Sequence, residues 1–292
     1  MNQPSTARLS SWLRLLFGLA LLLGLCAVTG GLSRPAHAQS TLRVTTCTSD
    51  TQLQAEVAQA NRDNAGDIIS FACSGDLKLT STLSISGRMT LSGSGQRVTL
   101  DGGGSLQVLS VNSGSSLTLN TLTIAHGSAP YGQGGGLENF GTVTISNSTI
   151  ANNSGGDGGG LDLWRGRVTI SNSTVADNAG GGLENVTGTV SISGSILANT
   201  SGNCFSAGGT YIDNGYNLSS GGCITSATSL QANPKLGPLA SNGGPTQTMA
   251  LLKGSPAIDY ISLALCPKTD QRGHKRPDNP HESACDIGAF ES

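Results

Sequence analysis

The chain has 292 residues, of which 16 are basic, 18 are acidic and 42 are glycine. Charged residues make up 12% and aromatic residues 4%, which excludes a charge-rich disordered chain and indicates short strands and turns. The net charge is −2 for the full chain and −5 without residues 1–38, which argues against nucleic acid as a general partner, because phosphate binding needs a basic face.

Residues 1–38 are predicted to be a secretory signal peptide. Two arginines precede an apolar run over residues 15–28, and Ala36-His37-Ala38 fits the A-x-A cleavage pattern. The run is short for a spanning helix and contains two glycines, so we expect cleavage and no remaining transmembrane segment. Cleavage before Gln39 would leave 254 residues with a net charge of −5, because three arginines are lost. We therefore expect a protein that is secreted or loosely attached to the cell surface.

Six cysteines follow the predicted cleavage site, and they form three pairs that are close in sequence. Each turn of a solenoid touches only its neighbours, so cysteines can meet only locally. We predict three disulfides, each stabilising the fold by roughly 3 kcal/mol in a loop-closure model. The pairs are Cys47 with Cys73, Cys204 with Cys223, and Cys266 with Cys285.

Residues 39–76 are predicted to form an N-terminal cap made of a helix and a first strand. The residues Ser49-Asp50-Thr51-Gln52 match a capping box, and Leu53, Val57 and Ala60 recur at helical spacing. The first turn of a solenoid has an open edge and an exposed core, which need a cover. We assign that role to the helix.

Residues 77–228 are predicted to form a parallel β-solenoid of six or seven turns. The sequence contains three tandem copies of one pattern, which consists of Gly-Gly-Leu-acid, an alternating strand and Asn. The leucines of the three copies are Leu137, Leu161 and Leu183, and their spacings of 24 and 22 residues are typical of solenoids. Alternation along each strand directs Leu, Val and Ile inward and Ser and Thr outward. Asparagines recur at one turn of each repeat, where Asn tolerates left-handed backbone and can bond to the turns above and below, so we predict a structural role for them. They are Asn153, Asn178 and Asn199.

Residues 229–292 contain motifs that resemble a known module, the choice-of-anchor Q domain. The matching segments are LGPL at 236–239, NGGPTQT at 242–248, GSPAID at 254–259, DQRG at 270–273 and CDIGAFE at 285–291. The Gly-Gly-Leu and Asn repeats are also similar to those of polymorphic outer-membrane proteins. The resemblance implies an exported bacterial protein with an all-β, right-handed parallel β-helix. The resemblance implies more about fold and location than about chemistry. The loops and the final cysteine pair of this segment themselves predict a loop-rich, disulfide-bonded C-terminal cap.

Three acidic residues, Glu138, Asp162 and Glu184, occupy equivalent repeat positions, so we expect them to stack on one outer face. Carboxylates about 4.8 Å apart repel each other, which raises their pKa values or favours a bound cation. Calcium is the natural candidate metal, although no cofactor is required. The alternative is a solvated acidic stripe partly balanced by Arg165 and Arg167.

An enzymatic alternative is a calcium-assisted polysaccharide lyase or a glycoside hydrolase. Hydrolysis needs two carboxylates at a defined separation, and Asp157, Asp162 and Asp177 are the weak catalytic candidates. The repeat alone would place acids in one column without any catalytic purpose. Fold does not determine function, so we do not predict catalysis.

Trp164 is interpreted as replacing the small polar residues of its repeat equivalents, and we expect it to project outward beside Arg165. An exposed Trp can stack on a sugar ring, and packing onto a neighbouring turn is the alternative. The leading hypothesis is a non-enzymatic β-helix that presents a flat Thr, Ser and acid face to a polysaccharide or cell-envelope glycan. Its predicted ligand-binding residues are Trp164, Arg165, Glu138, Asp162 and Glu184. A second alternative is a self-assembling surface protein, and the sequence leaves the oligomeric state open.

Overall fold

The structure, a computed structural model, describes residues 38–130, 133–156 and 158–292. The chain divides into two units, Met1–His37 and Ala38–Ser292, and all that follows concerns the second. The predicted signal peptide lies outside the described residues except for Ala38. Within these described segments, no helix is long and apolar enough to cross a membrane.

Three parallel sheets form a β-solenoid of about seven turns, and the repeating turns contribute one strand to each sheet. Sheet A contains β1 (Thr41–Val44), β2 (Asp67–Phe71), β5 (Arg88–Ser92), β8 (Ser116–Asn120), β11 (Thr142–Ser146), β14 (Arg167–Ser171), β17 (Thr189–Ser193) and β20 (Thr210–Asp213). Sheet B contains β3 (Gly75–Lys78), β6 (Val98–Asp101), β9 (Thr123–Ala125), β12 (Thr149–Ala151), β15 (Thr174–Ala176), β18 (Ile196–Ala198), β21 (Leu218–Ser219) and β22 (Leu230–Gln231). Sheet C contains β4 (Leu83–Ile85), β7 (Leu109–Val111), β10 (Leu137–Asn139), β13 (Leu161–Leu163), β16 (Leu183–Asn185) and β19 (Cys204–Ser206).

The core is a stack of identical apolar positions from successive turns. Leu137, Leu161 and Leu183 are direct neighbours in the register of sheet C, and all three are fully buried. Ile145 and Ile170 are paired in the same way in sheet A, and both are buried. Burying one such side chain contributes roughly 1.5–3 kcal/mol, so the column of like residues supplies most of the stability. The predicted β-solenoid and its buried column of leucines are confirmed.

One helix, α1 (Thr51–Asp63), takes the place of a sheet C strand in the first turn. Its buried residues Leu53, Val57 and Ala60 pack against the first core layer. The side chain of Asn61 accepts a hydrogen bond from the Ser86 N–H (2.8 Å), which satisfies a backbone group beside the first strand of sheet C. The predicted capping role of the helix is confirmed.

The predicted capping box is wrong. Asp50 is the residue before the helix, and its side chain makes no capping bond. It instead accepts hydrogen bonds from the backbone and hydroxyl of Thr80 (2.8 and 3.0 Å). Gln52 bonds to the strand before the helix, accepting from the Thr45 N–H and donating to the Arg43 carbonyl (2.8 Å each). Partners distant in sequence therefore outcompete the local cap.

The repeated asparagines form a buried ladder of side-chain amides. Asn153 Nδ2 donates to Asn178 Oδ1, and Asn178 Nδ2 donates to Asn199 Oδ1, each at 2.9 Å. Each amide also donates to carbonyls of neighbouring strands, such as that of Ile150 (3.0 Å). Their predicted structural role is confirmed.

The C-terminal segment lies along the side of the solenoid. It contains the antiparallel pair β23 (Leu236–Ala240) and β24 (Thr248–Leu251), a 3-10 turn at Leu263–Leu265, and the antiparallel pair β25 (Ile261–Ser262) and β26 (Ala284–Cys285). Its contacts fall on the outward Thr residues of sheet B in three successive turns. The segment is loop-rich and disulfide-bonded, as expected, but it covers a sheet laterally. The reason is that sheet B presents small outward residues, Thr and Ala, on which a chain can pack closely.

All three predicted disulfides are present. The Cα atoms of Cys47 and Cys73 are 5.6 Å apart, those of Cys204 and Cys223 are 5.7 Å apart, and those of Cys266 and Cys285 are 6.0 Å apart. Disulfides persist in oxidising compartments, so three of them suggest an extracytoplasmic location.

Candidate functional site

The three sheets differ in what covers their outward faces. On sheet B, Thr149 and Ala151 are fully buried, because the C-terminal segment lies over them. On sheet C, Glu138 and Asp162 are buried by glycine-rich loops. On sheet A, every outward side chain from β5 to β17 is exposed or half-buried. Sheet A is therefore the surface that remains open to a ligand.

The open face, defined as the outward residues of sheet A, consists of three columns in register. The outer columns are Arg88, Ser116, Thr142, Arg167, Thr189 and Thr210 on one side, and Arg43, Ser70, Ser92, Asn120, Ser146, Ser171 and Ser193 on the other. The middle column is Thr41, Ile68, Thr90, Thr118, Thr144, Thr169, Ser191 and Ile212. These described positions include three arginines and no carboxylate. The open face thus differs in charge from the chain as a whole, which is acidic.

The register makes this face a regular grid of hydroxyl groups. Neighbouring strands lie about 4.8 Å apart, and alternate residues of one strand about 6.7 Å apart. Thr118, Thr144 and Thr169 are direct neighbours in the middle column. Each hydroxyl can donate one hydrogen bond and accept two.

Trp164 lies at one edge of the open face, in the turn between sheets C and A. Its backbone N–H donates to the Asn139 carbonyl (3.1 Å), and Phe140 makes the same bond to Val111 one turn earlier (2.8 Å). The two aromatic rings therefore stack, with centroids 6.3 Å apart and an interplanar angle of 18°. Trp164 remains 40% exposed. Both expectations for this residue hold, since it projects outward and also packs on a neighbouring turn.

Arginine extends this group, which we call the aromatic corner (Phe140, Trp164 and Arg165). The Arg165 guanidinium lies 5.9 Å from the centroid of the Phe140 ring and is exposed. Arg167, the first residue of β14, is exposed at the near edge of the open face. Phe140 was not predicted as a site residue, and the expectation of a small polar residue at this position is wrong, because Phe140 is the equivalent of Trp164. Its signal was an aromatic residue one repeat before Trp164, at the equivalent turn.

The acidic column is present in the predicted register but not on a solvated surface. Glu138 pairs with Asp162, and Asp162 pairs with Glu184. Glu138 is 7% exposed and Asp162 is fully buried, so the expected solvated acidic stripe is wrong for these two residues, whereas Glu184 is half-buried. The physical reason is that loop glycines approach too closely for water. A Cβ atom at Gly134 would lie 2.6 Å from Asp162 N, and one at Gly158 would lie 2.8 Å from Glu184 Cβ.

Burial changes the acid–base properties around this column. It raises the pKa of Glu138 above its usual value, against hydrogen bonds from neighbouring side chains. It also raises the pKa of the Tyr211 hydroxyl, and the negative charges of Glu184 and Asp162 add to that effect. Among the described residues, no group of three or more His, Cys, Asp or Glu is arranged to hold a metal ion. Calcium binding stays a prediction.

The three weak catalytic candidates are not equivalent. Asp157 lies outside the described residues. Asp162 is buried in β13 of sheet C. Asp177 is exposed, follows β15 of sheet B, and lines a polar cleft of about 240 Å³. The other residues lining that cleft are Ala198, Asn199, Thr200, Ser220, Asn233, Pro234 and Leu236, so Asp177 is its one carboxylate among the described residues.

Comparison with protein-family models, with curated proteins and with solved structures yields no significant match.

Proposed function

We propose that this protein is a secreted or cell-surface glycan-binding protein without catalytic activity, and that its open face binds an extended anionic polysaccharide. The observation that supports this function is the composition of the one uncovered sheet. Its outward positions combine rows of hydroxyls with arginine, and an exposed aromatic pair stands at its edge.

Each of these groups matches a chemical feature of an acidic polysaccharide. Ser and Thr hydroxyls bond to sugar hydroxyls as donor or acceptor. Arginine binds a uronate carboxylate or a sulfate group with two parallel hydrogen bonds. The face of an indole ring packs against the C–H groups of a pyranose.

Charge distribution favours an anionic ligand over a neutral one. A net charge of −2 on the chain would repel a polyanion from most of the surface. The open face has only arginines among its charged residues, with Arg88 and Arg167 on the edge next to the aromatic corner. A polyanion would therefore be directed to this sheet. The acidic column takes no part in this proposal because it belongs to sheet C, where Glu138 and Asp162 are buried and Glu184 is half-buried.

The test measures binding of the exported chain to polygalacturonate, alginate and a neutral dextran by calorimetry. We expect binding to the two acidic polymers and weakening with added salt, because exposed ion pairs are screened. Trp164→Ala and Arg167→Ala should each reduce the affinity about tenfold. Arg97→Ala, an exposed arginine outside sheet A, is the matched control and should leave the affinity unchanged.

Two outcomes would contradict the proposal. One is equal binding of the neutral and acidic polymers by all variants. The other is the appearance of unsaturated or reducing-end products during incubation, with or without calcium, which would favour the enzymatic alternative.

A further inference from the structure

A second cleft lies at the far edge of the open face, opposite the aromatic corner. It has a volume of about 220 Å³ and is formed between the ends of the sheet A strands and the C-terminal segment. Its lining residues are Asn172, Ser193, Gly194, Asn214, Gly215, Tyr216, Ile261 and Leu265. Ser193 belongs to both the cleft and the open face.

One repeat has glycine where two others have asparagine, and this glycine lines the cleft. Ser146, Ser171 and Ser193 are in register, so the residues that follow them, Asn147, Asn172 and Gly194, are equivalent. All three have left-handed backbone, with φ angles of 44°, 48° and 56°.

An added Cβ at Gly194 would lie 2.6 Å from Asn172 Oδ1 and 3.4 Å from Ile261 Cδ1. Asparagine at this position would therefore displace the Asn172 amide and occupy part of the cleft.

The two walls of the cleft differ in chemistry. One wall is polar, and within the described residues the side chains of Asn172, Ser193 and Asn214 make no hydrogen bond to protein. The other wall is apolar, formed by Tyr216, Ile261 and Leu265. A pyranose ring has the same two-sided character, with hydroxyls around its edge and C–H groups on its face.

We infer that this cleft holds one pyranose unit of the polysaccharide that crosses the open face. The inference rests on the proposed function, and it specifies where one end of the bound polysaccharide segment lies. The five residues of β14 span about 13 Å from Arg167 to Ser171, so these residues mark two edges that are more than one sugar ring apart. A chain that starts at Trp164 and crosses β14 and β17 reaches the cleft at Ser193.

The test compares uronate oligosaccharides from the disaccharide to the octasaccharide, with affinities measured by calorimetry. Gly194→Asn occupies part of the cleft, and the fold accepts Asn at two equivalent turns. Leu265→Ala removes part of the apolar wall. Leu263→Ala is the matched control, because both leucines lie in the same 3-10 turn and are exposed, but Leu263 does not line the cleft.

We expect Gly194→Asn and Leu265→Ala to reduce the affinity for the longest oligosaccharides roughly fivefold, and to leave that for the shortest unchanged. Trp164→Ala should weaken binding at every length. If Trp164→Ala weakens binding while both cleft variants bind every length as the unaltered protein does, the cleft inference is wrong and the proposed function stands. Equal losses in Leu263→Ala and Leu265→Ala would also overturn the inference. If no oligosaccharide binds the unaltered protein, both are wrong.

Discussion

At the scale of single residues, the repeat places polar side chains in columns and the fold then buries some of those columns. The asparagine ladder shows why this is tolerated, because each amide of Asn153 and Asn178 finds both donors and acceptors in the turns above and below. A buried polar group without such partners would cost about 1–3 kcal/mol. Satisfaction of hydrogen bonds, more than exposure, therefore decides which polar residues the interior accepts.

Glu291 is a buried carboxyl group whose protonation affects stability. It is 3% exposed, pairs with the Arg276 guanidinium at 3.1 Å, and accepts the Asp286 N–H at 3.0 Å. Burial raises the pKa of Glu291 to about 7, although the charge of Arg276 opposes the shift. Burial also raises the pKa of Asp286.

The shift predicts a pH dependence of unfolding. A carboxyl whose pKa is higher in the folded state than in the unfolded chain stabilises the fold fully below pH 4.5, and this stability is lost as the pH rises through 7. We expect the Tm to fall by a few degrees between pH 5 and pH 8. Glu291→Gln, which keeps the shape and cannot titrate, should flatten the change. A Tm with the same slope in both proteins would show that Glu291 is not responsible.

At the scale of elements, the side chains of each sheet A strand point alternately into the core and outward to the open face. In β14, Ile170 is fully buried in the core, and Thr169 points outward. Leucine and isoleucine truncations in a core cost about 2–5 kcal/mol, whereas surface substitutions are usually within about 0.5 kcal/mol. We therefore expect Ile170→Ala to lower the free energy of unfolding by several kcal/mol and Thr169→Ala to leave it nearly unchanged, as measured by urea denaturation. Comparable losses in the two variants would contradict the alternation.

At the scale of the whole described unit, Gln271 of the C-terminal segment is buried and bonds to two successive turns of the solenoid. Gln271 is 1% exposed; its Oε1 accepts from the Thr149 hydroxyl (2.6 Å), and its Nε2 lies 3.1 Å from Thr123 Oγ1. Gln271→Ala would leave these groups buried and unpaired. We expect a loss of about 2–3 kcal/mol in the stability of this contact.

Hydrogen exchange followed by mass spectrometry would locate that loss. Faster exchange should be confined to the amides of residues 236–291 and of the sheet B strands that this segment covers, β9, β12 and β15. The amides of α1 should be unchanged. His274→Ala, an exposed position in the same loop, serves as the control. Uniform acceleration throughout the solenoid would mean that the C-terminal segment is part of one cooperative unit and has no separate opening.

The sequence by itself determined the solenoid, its register, the capping role of α1 and the three disulfides. Each follows from local sequence, because Leu137, Leu161 and Leu183 can be aligned by counting and the two cysteines of each pair are only 19 to 26 residues apart. It also indicated an outward Trp164.

Only the tertiary structure decided which faces are open. Glu138 and Asp162 were expected on a surface and are buried, and the open face was not distinguished from the other two sheets. Covering a sheet depends on contacts between segments far apart in sequence, such as Thr149 and Gln271 at a separation of 122 residues. No repeat spacing encodes such a contact, because it is made by a chain segment that lies outside the repeat.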